Sequence, residues 1–130
     1  MSRSLARENV FKLVFEYIFS KEKNVEFMLG IIESEENKNE AGYIQEVYNG
    51  VVNHYDEMIE EIKKHSEGFK LDRIFKVDLA ILLVSLYEIK FVKSIPNIVS
   101  VNEALNLAKR YSTEKSASFI NGILKNFVGE

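Results

Sequence analysis

The chain has 130 residues, 46% of them hydrophobic, one proline, no cysteine and a formal net charge of −3. That length supports a single domain with an adequate core, so one domain over residues 1–130 is expected. The lack of cysteine excludes a disulfide framework, a thiolate nucleophile and a thiolate metal site, and fits a reducing cytoplasm.

The N-terminus carries Arg3, Arg7 and an early Glu8 where a signal peptide would place its apolar core, which argues against secretion. From residue 4 to 19, Ala6, Val10, Leu13 and Tyr17 form one apolar stripe and Phe11, Phe15 and Ile18 a second, both at helical spacing. The polar stripe of this helix holds Glu8-Lys12 and Lys12-Glu16, pairs four apart that meet on a helix surface. Arg3 and Arg7 share the same spacing near its start.

Val25 to Ile32 is a short apolar patch, and the charged run Glu33 to Glu40 reads as a loop. A third helix follows, traced by one stripe through Ile44, Val47, Tyr48, Val51, Val52, Tyr55, Ile59 and Ile62. Gly68 is expected to close it, with Phe69 and Leu71 opening a connection. From about Lys76 to Val92 almost no polar face remains, which marks a central helix. Its longest apolar stretch, Leu79 to Leu86, falls far short of the roughly 20 residues that span a bilayer, so no membrane role is expected.

Pro96 disfavours helix at Ile95 and forces an extended segment. Ser100-Val101-Asn102-Glu103 fits a capping box that would start a helix running to about Arg110. Ser112 or Thr113 then caps a last helix whose apolar side carries Ala117, Ile120, Ile123, Leu124 and Phe127. Two Asn-Gly pairs, Asn49-Gly50 and Asn121-Gly122, would ordinarily signal hairpins. Both lie inside helical periodicity, which overrules them and suggests close approach of another helix backbone. The expected class is all-α.

The charge is unevenly spread: +2 over residues 1–21, −7 over 22–64 and +2 over 65–130. Between positions 90 and 125, Lys90, Lys93, Lys109, Arg110, Lys115 and Lys125 face only Glu103 and Glu114, so a basic face or a merely solvated surface is compatible with the pattern. No enzyme machinery is visible. The glycines do not have the spacing of a phosphate loop, no serine stands in a nucleophile elbow, and the carboxylate pairs Glu35-Glu36 and Glu60-Glu61 lie where nothing would raise a pKa. His54 with Glu57, or His65 with Glu61, would supply two ligands from one helix face, short of the three or four a zinc site needs. Neither a metal nor a cofactor is expected.

The remaining lead is Tyr111 to Phe119, which enters the last helix with hydroxyls, Lys115 and a ring. Helix-start amides and hydroxyls hold phosphate oxygens, and aromatic rings stack on unpaired bases.

Several segments together resemble the NusB family from end to end: Ala6-Arg7-Glu8, the Val-x-x-Gly-Val core within Val47 to Val52, Ala80-Ile81-Leu82, Leu86-Tyr87-Glu88-Ile89, Pro96, Val101-Asn102-Glu103-Ala104, Leu107-Ala108-Lys109 and Ser116-x-x-Phe119-Ile120-Asn121-Gly122-Ile123-Leu124. The resemblance implies about seven helices in two small bundles and a non-enzymatic, cytoplasmic role in transcription antitermination. It implies pairing with NusE, a small-subunit ribosomal protein, binding of single-stranded boxA RNA in nascent transcripts, notably of ribosomal RNA operons, and assembly with other Nus factors on RNA polymerase. Carried over residue by residue, it makes Arg7, Ser116 and Phe119 candidates for RNA contact, with Arg3 and Lys115 as additions, and Phe15 and Glu88 candidates for the NusE face.

Three departures stand out: a thin basic N-terminus, Leu83 where the family often has Arg, and Lys115 where it often has an acid. Two other readings remain: a NusB-like RNA-binding domain cut from a ribosomal RNA cytosine methyltransferase, and a helical interaction module without RNA. The residues leave open whether the chain is a monomer or a homodimer.

Overall fold

The computed structural model describes residues 2–66 and 73–128, the side chain of Ser2 excepted. Among them are seven α-helices and no strand: α1 (Ser2–Ser20), α2 (Val25–Glu33), α3 (Ala41–Asn53), α4 (Tyr55–Lys64), α5 (Lys76–Phe91), α6 (Asn97–Tyr111) and α7 (Glu114–Leu124), with a 3-10 turn at Lys38–Glu40 before α3. The expected closure at Gly68 and the connection at Phe69 and Leu71 lie outside the described residues.

Helix α5 explains the architecture. Every residue from Asp78 to Ile89 is buried, so this helix needs neighbours on all sides. It finds α1 and α3 on one side, α6 and α7 on another, with α4 against it as well. Helices α1, α2 and α3 pack among themselves, as do α6 and α7, giving two small bundles that share α5. No helix among the described residues is long and apolar enough to cross a membrane.

Helix boundaries differ from the sequence expectation in three places, the simplest being α7, which ends at Leu124 and leaves Phe127 beyond it. The single stripe from Ile44 to Ile62 is two helices, because His54 leaves helical geometry at φ −109°, ψ 19° while its amide still donates to the Gly50 carbonyl. The apolar spacing continues across the break, which is why periodicity alone could not show it. Helix α6 starts at Asn97, directly after extended Pro96 at ψ 141°, a turn before the expected capping box. Ser100 and Glu103 then stand inside the helix and make tertiary contacts instead of capping it.

At the last helix Thr113 is the cap, its hydroxyl accepting the Ser116 amide hydrogen at 3.0 Å. The two helical Asn-Gly pairs have different reasons. A Cβ at Gly50 would come within 2.2 Å of the Tyr87 ring, so a side chain, not a helix backbone, occupies the space; a Cβ at Gly122 would meet nothing within 4 Å.

Candidate nucleic-acid interface

Two polar clusters surround the starts of α1 and α7. The first is centred on Glu88, which is fully enclosed. Arg7, 3% exposed, donates from Nε to Glu88 Oε2 at 2.7 Å and from Nη2 to Oε1 at 3.2 Å, a forked pair. Its Nη1 lies 3.5 Å from Glu103 Oε1. Ser100 donates to Glu88 Oε1 at 2.7 Å, and the Tyr43 hydroxyl donates to Oε2. A buried charge is tolerated when its lone pairs are answered in this way. Burial works against the Arg7 charge, but the bond to Glu88 and the neighbouring negative groups outweigh it and raise its pKa above the ordinary value. Burial, then the Glu88 charge, pushes the Tyr43 hydroxyl well above the usual tyrosine range.

Arg3 is exposed above this cluster. Its guanidinium lies 4.4 Å from the Tyr43 ring centre, and its Nε donates to Glu40 at 2.8 Å. One helical turn along α1, Glu8 accepts from Arg110 at 3.1 Å and from the Tyr111 hydroxyl, tying α1 to the end of α6. That hydrogen bond, then burial, raises the Tyr111 pKa.

The second cluster follows at once in the chain. Asp78, near the start of α5, is the single carboxylate in that helix's first turn and is 3% exposed. Ser112 donates to its Oδ1 and Ser116 to its Oδ2, each at 2.8 Å. Ser116 is buried, so its hydroxyl positions α7 against α5. These contacts stitch α1 to α7 through residues 110–112.

Outside this cluster runs an open groove of about 800 Å³ lined by Arg73, Ile74, Phe75, Asp78, Thr113, Glu114, Lys115, Ser116 and Phe119. Lys115 is exposed and Phe119 half-buried on it.

The candidates therefore separate. Lys115, Ser116 and Phe119 share the groove, although the Ser116 hydroxyl is committed to Asp78. Arg3 stands on the surface at the other cluster. Arg7 and Glu88 are locked to each other inside the protein, a geometry that offers the Arg7 fork to Glu88 and leaves Glu88 no exposed face. Phe15 is half-buried in an aromatic row, 6.5 Å from the Phe11 ring and 5.1 Å from that of Phe19, which is 61% exposed.

Of the basic residues in the last third, Lys90 is paired with Glu61 at 2.7 Å and Arg110 with Glu8. Lys12 meets Glu8 at 4.0 Å, while Glu16 accepts from Asn24. His54 pairs with Glu57 at 3.4 Å, and no group of three or more His, Asp or Glu side chains gathers among the described residues. Sequence reasoning missed Asp78, Arg73 and Phe75. A lone carboxylate entering an otherwise apolar helix was the available signal for the first.

Among the described residues the fold is wholly helical, with a hydroxyl-capped helix start beside an open aromatic groove, which defines the all-α class of small helical-bundle domains. The NusB family model matches residues 4–129, and the chain belongs to the NusB family. A transcription antitermination protein NusB from Agathobacter rectalis is 39% identical, over 98% of this chain and 99% of its own length. The solved NusB of T. maritima superimposes with a TM-score of 0.86 at 32% identity, over 97% of this chain and 89% of that one. A structure of antitermination factors NusB and NusE in complex with double-stranded RNA gives a TM-score of 0.84 at 26% identity, covering 98% of this chain and 96% of the matched chain.

Proposed function

We propose that this chain is a transcription antitermination factor that pairs with NusE and holds boxA RNA of nascent transcripts, notably those of ribosomal RNA operons. The complex then joins other Nus factors on RNA polymerase. The observation that carries the reading is the groove at the start of α7, lined by Phe119 and Lys115, in a chain that matches, nearly end to end, a relative solved with NusE and RNA.

In this reading Phe119 offers its ring to an unpaired base, and Lys115 and Arg3 contact phosphate. Arg7 and Ser116 work one step back. Arg7 fixes the start of α1 through Glu88, and Ser116 sets the first turn of α7 through Asp78. Phe15, with exposed Phe19 beside it, offers NusE an aromatic ridge. Glu88 affects that face through Arg7 and not by contact. The methyltransferase-fragment reading has less support, since the similar curated protein named above is a transcription antitermination protein.

The test is to mix the chain with NusE and a single-stranded boxA RNA and follow the mixture by gel filtration. A ternary complex, with RNA affinity raised by NusE, is expected. Failure of NusE to bind or to raise that affinity would overturn the reading, and the same column shows whether the free chain runs as a monomer or a homodimer.

A further inference from the structure

Phe75 is the residue just before α5, and 60% of it is exposed. Its backbone, at φ −55° and ψ 137°, suits any residue, and its carbonyl accepts the Leu79 amide hydrogen at 2.9 Å. The ring stands outside the hydrophobic core. It does, however, line the same groove as Phe119, with Arg73 and Lys115 on that groove as well. Neither cation has an ion-pair partner among the described residues. The buried carboxylate of the groove, Asp78, has both oxygens occupied by the Ser112 and Ser116 hydroxyls.

Resting on the RNA reading above, we infer that Phe75 is a second base-stacking residue of the site and that Arg73 is the phosphate contact beside it. The occupant is single-stranded RNA. Two aromatic rings on one groove of about 800 Å³ provide apolar flat surface for a base. Arg73 and Lys115 supply the charge that the adjoining backbone needs. A paired base keeps its faces inside the duplex stack, so the ring discriminates single strands from duplex. This gives the chain a means of holding RNA that does not depend on a richly basic N-terminus.

The experiment measures binding of the full chain, with NusE present, to a single-stranded boxA oligonucleotide carrying 2-aminopurine at successive positions, and to a blunt RNA duplex of the same sequence. Phe75→Ala is expected to weaken single-strand binding about 5- to 150-fold, as loss of one stacked base does. It should also remove the quenching of 2-aminopurine at one position and leave duplex binding unchanged. Phe75→Tyr should restore both signals and Phe75→Leu neither. Arg73→Gln should lower the salt slope by about 0.7, while Phe75→Ala leaves it unchanged. Circular dichroism checks that each variant is folded. If Phe75→Ala binds and quenches like wild type while Phe119→Ala does not, the inference fails and the RNA reading stands. If Phe75→Ala loses NusE and keeps RNA, the groove belongs to the protein partner and the inference is equally overturned. If wild type binds no RNA, the RNA reading itself has failed.

Discussion

Replacing Arg7 by Met separates structural from RNA-contacting work at the start of α1. The substitution keeps much of the apolar stem and removes both bonds to Glu88, at 2.7 and 3.2 Å, and the 3.5 Å contact with Glu103. Glu88 would keep Ser100 and Tyr43 as donors, so it would not be wholly orphaned, but a fully enclosed carboxylate would lose the one cation that pairs with it among the described residues. Breaking a buried pair from one side costs about 3–5 kcal/mol. Against a total stability of about 5–15 kcal/mol, that is a large share. For a chain of this size it corresponds to a fall in Tm of roughly 10–20 °C. Thermal and urea unfolding followed by circular dichroism measure it, and Glu88→Gln with the double variant completes the cycle, where the two losses should be far from additive. An Arg7→Met protein within about 0.5 kcal/mol of wild type that has nonetheless lost RNA would refute the assignment. It would mean the guanidinium leaves Glu88 to work at the surface.

Three further substitutions test other parts of the packing. Gly50→Ala pushes a methyl group into the Tyr87 ring, which Phe91 backs at 5.0 Å, and overpacking of about 1–3 kcal/mol should exceed the helix-propensity gain of about 1 kcal/mol. Gly122→Ala, with open space, should instead gain up to about 1 kcal/mol; urea midpoints of equal sign for the two would contradict this. Tyr43 is protonated in the fold to higher pH than in the unfolded chain, so it contributes stability that is full below about pH 10 and is lost as pH rises towards the folded value. Tyr43→Phe should lower stability at neutral pH by about 1.5–3 kcal/mol, for the lost bond to a charged group, and flatten the alkaline decline; an unchanged alkaline slope would exclude Tyr43 as its source.

The helices were legible because burial repeats every three to four residues, and α5 in particular announced its central place by having no polar face. What periodicity reports is which side of a helix is buried. It does not report a single residue that steps out of helical geometry, so the break at His54 was invisible between Val51 and Tyr55. Ser100 and Glu103 carry the residue types of a capping box, but the choice of start was made by Pro96 and by a tertiary partner. The site was less legible for a related reason. Arg7 and Glu88 are 81 positions apart, and each alone looks like a surface charge. Lys115 and Phe119 could be placed at the start of a helix, whereas the groove beside them exists only because α5 brings Asp78 and Phe75 alongside.

The carboxylate of Glu88 receives hydrogen bonds from α1 through Arg7, from α3 through Tyr43 and from α6 through Ser100. Three segments distant in the chain are thus answerable to one side chain, and this limits how the protein can change over evolutionary time. A neutral residue at 88 strands an arginine in the core, and a neutral residue at 7 strands a carboxylate, so neither step is easily taken first. Substitution there is expected to come as a set or not at all, with positions 7 and 88 changing together and 43 and 100 free to drift only as far as a donor remains. The shared helix is therefore expected to constrain variation at the positions gathered around Glu88.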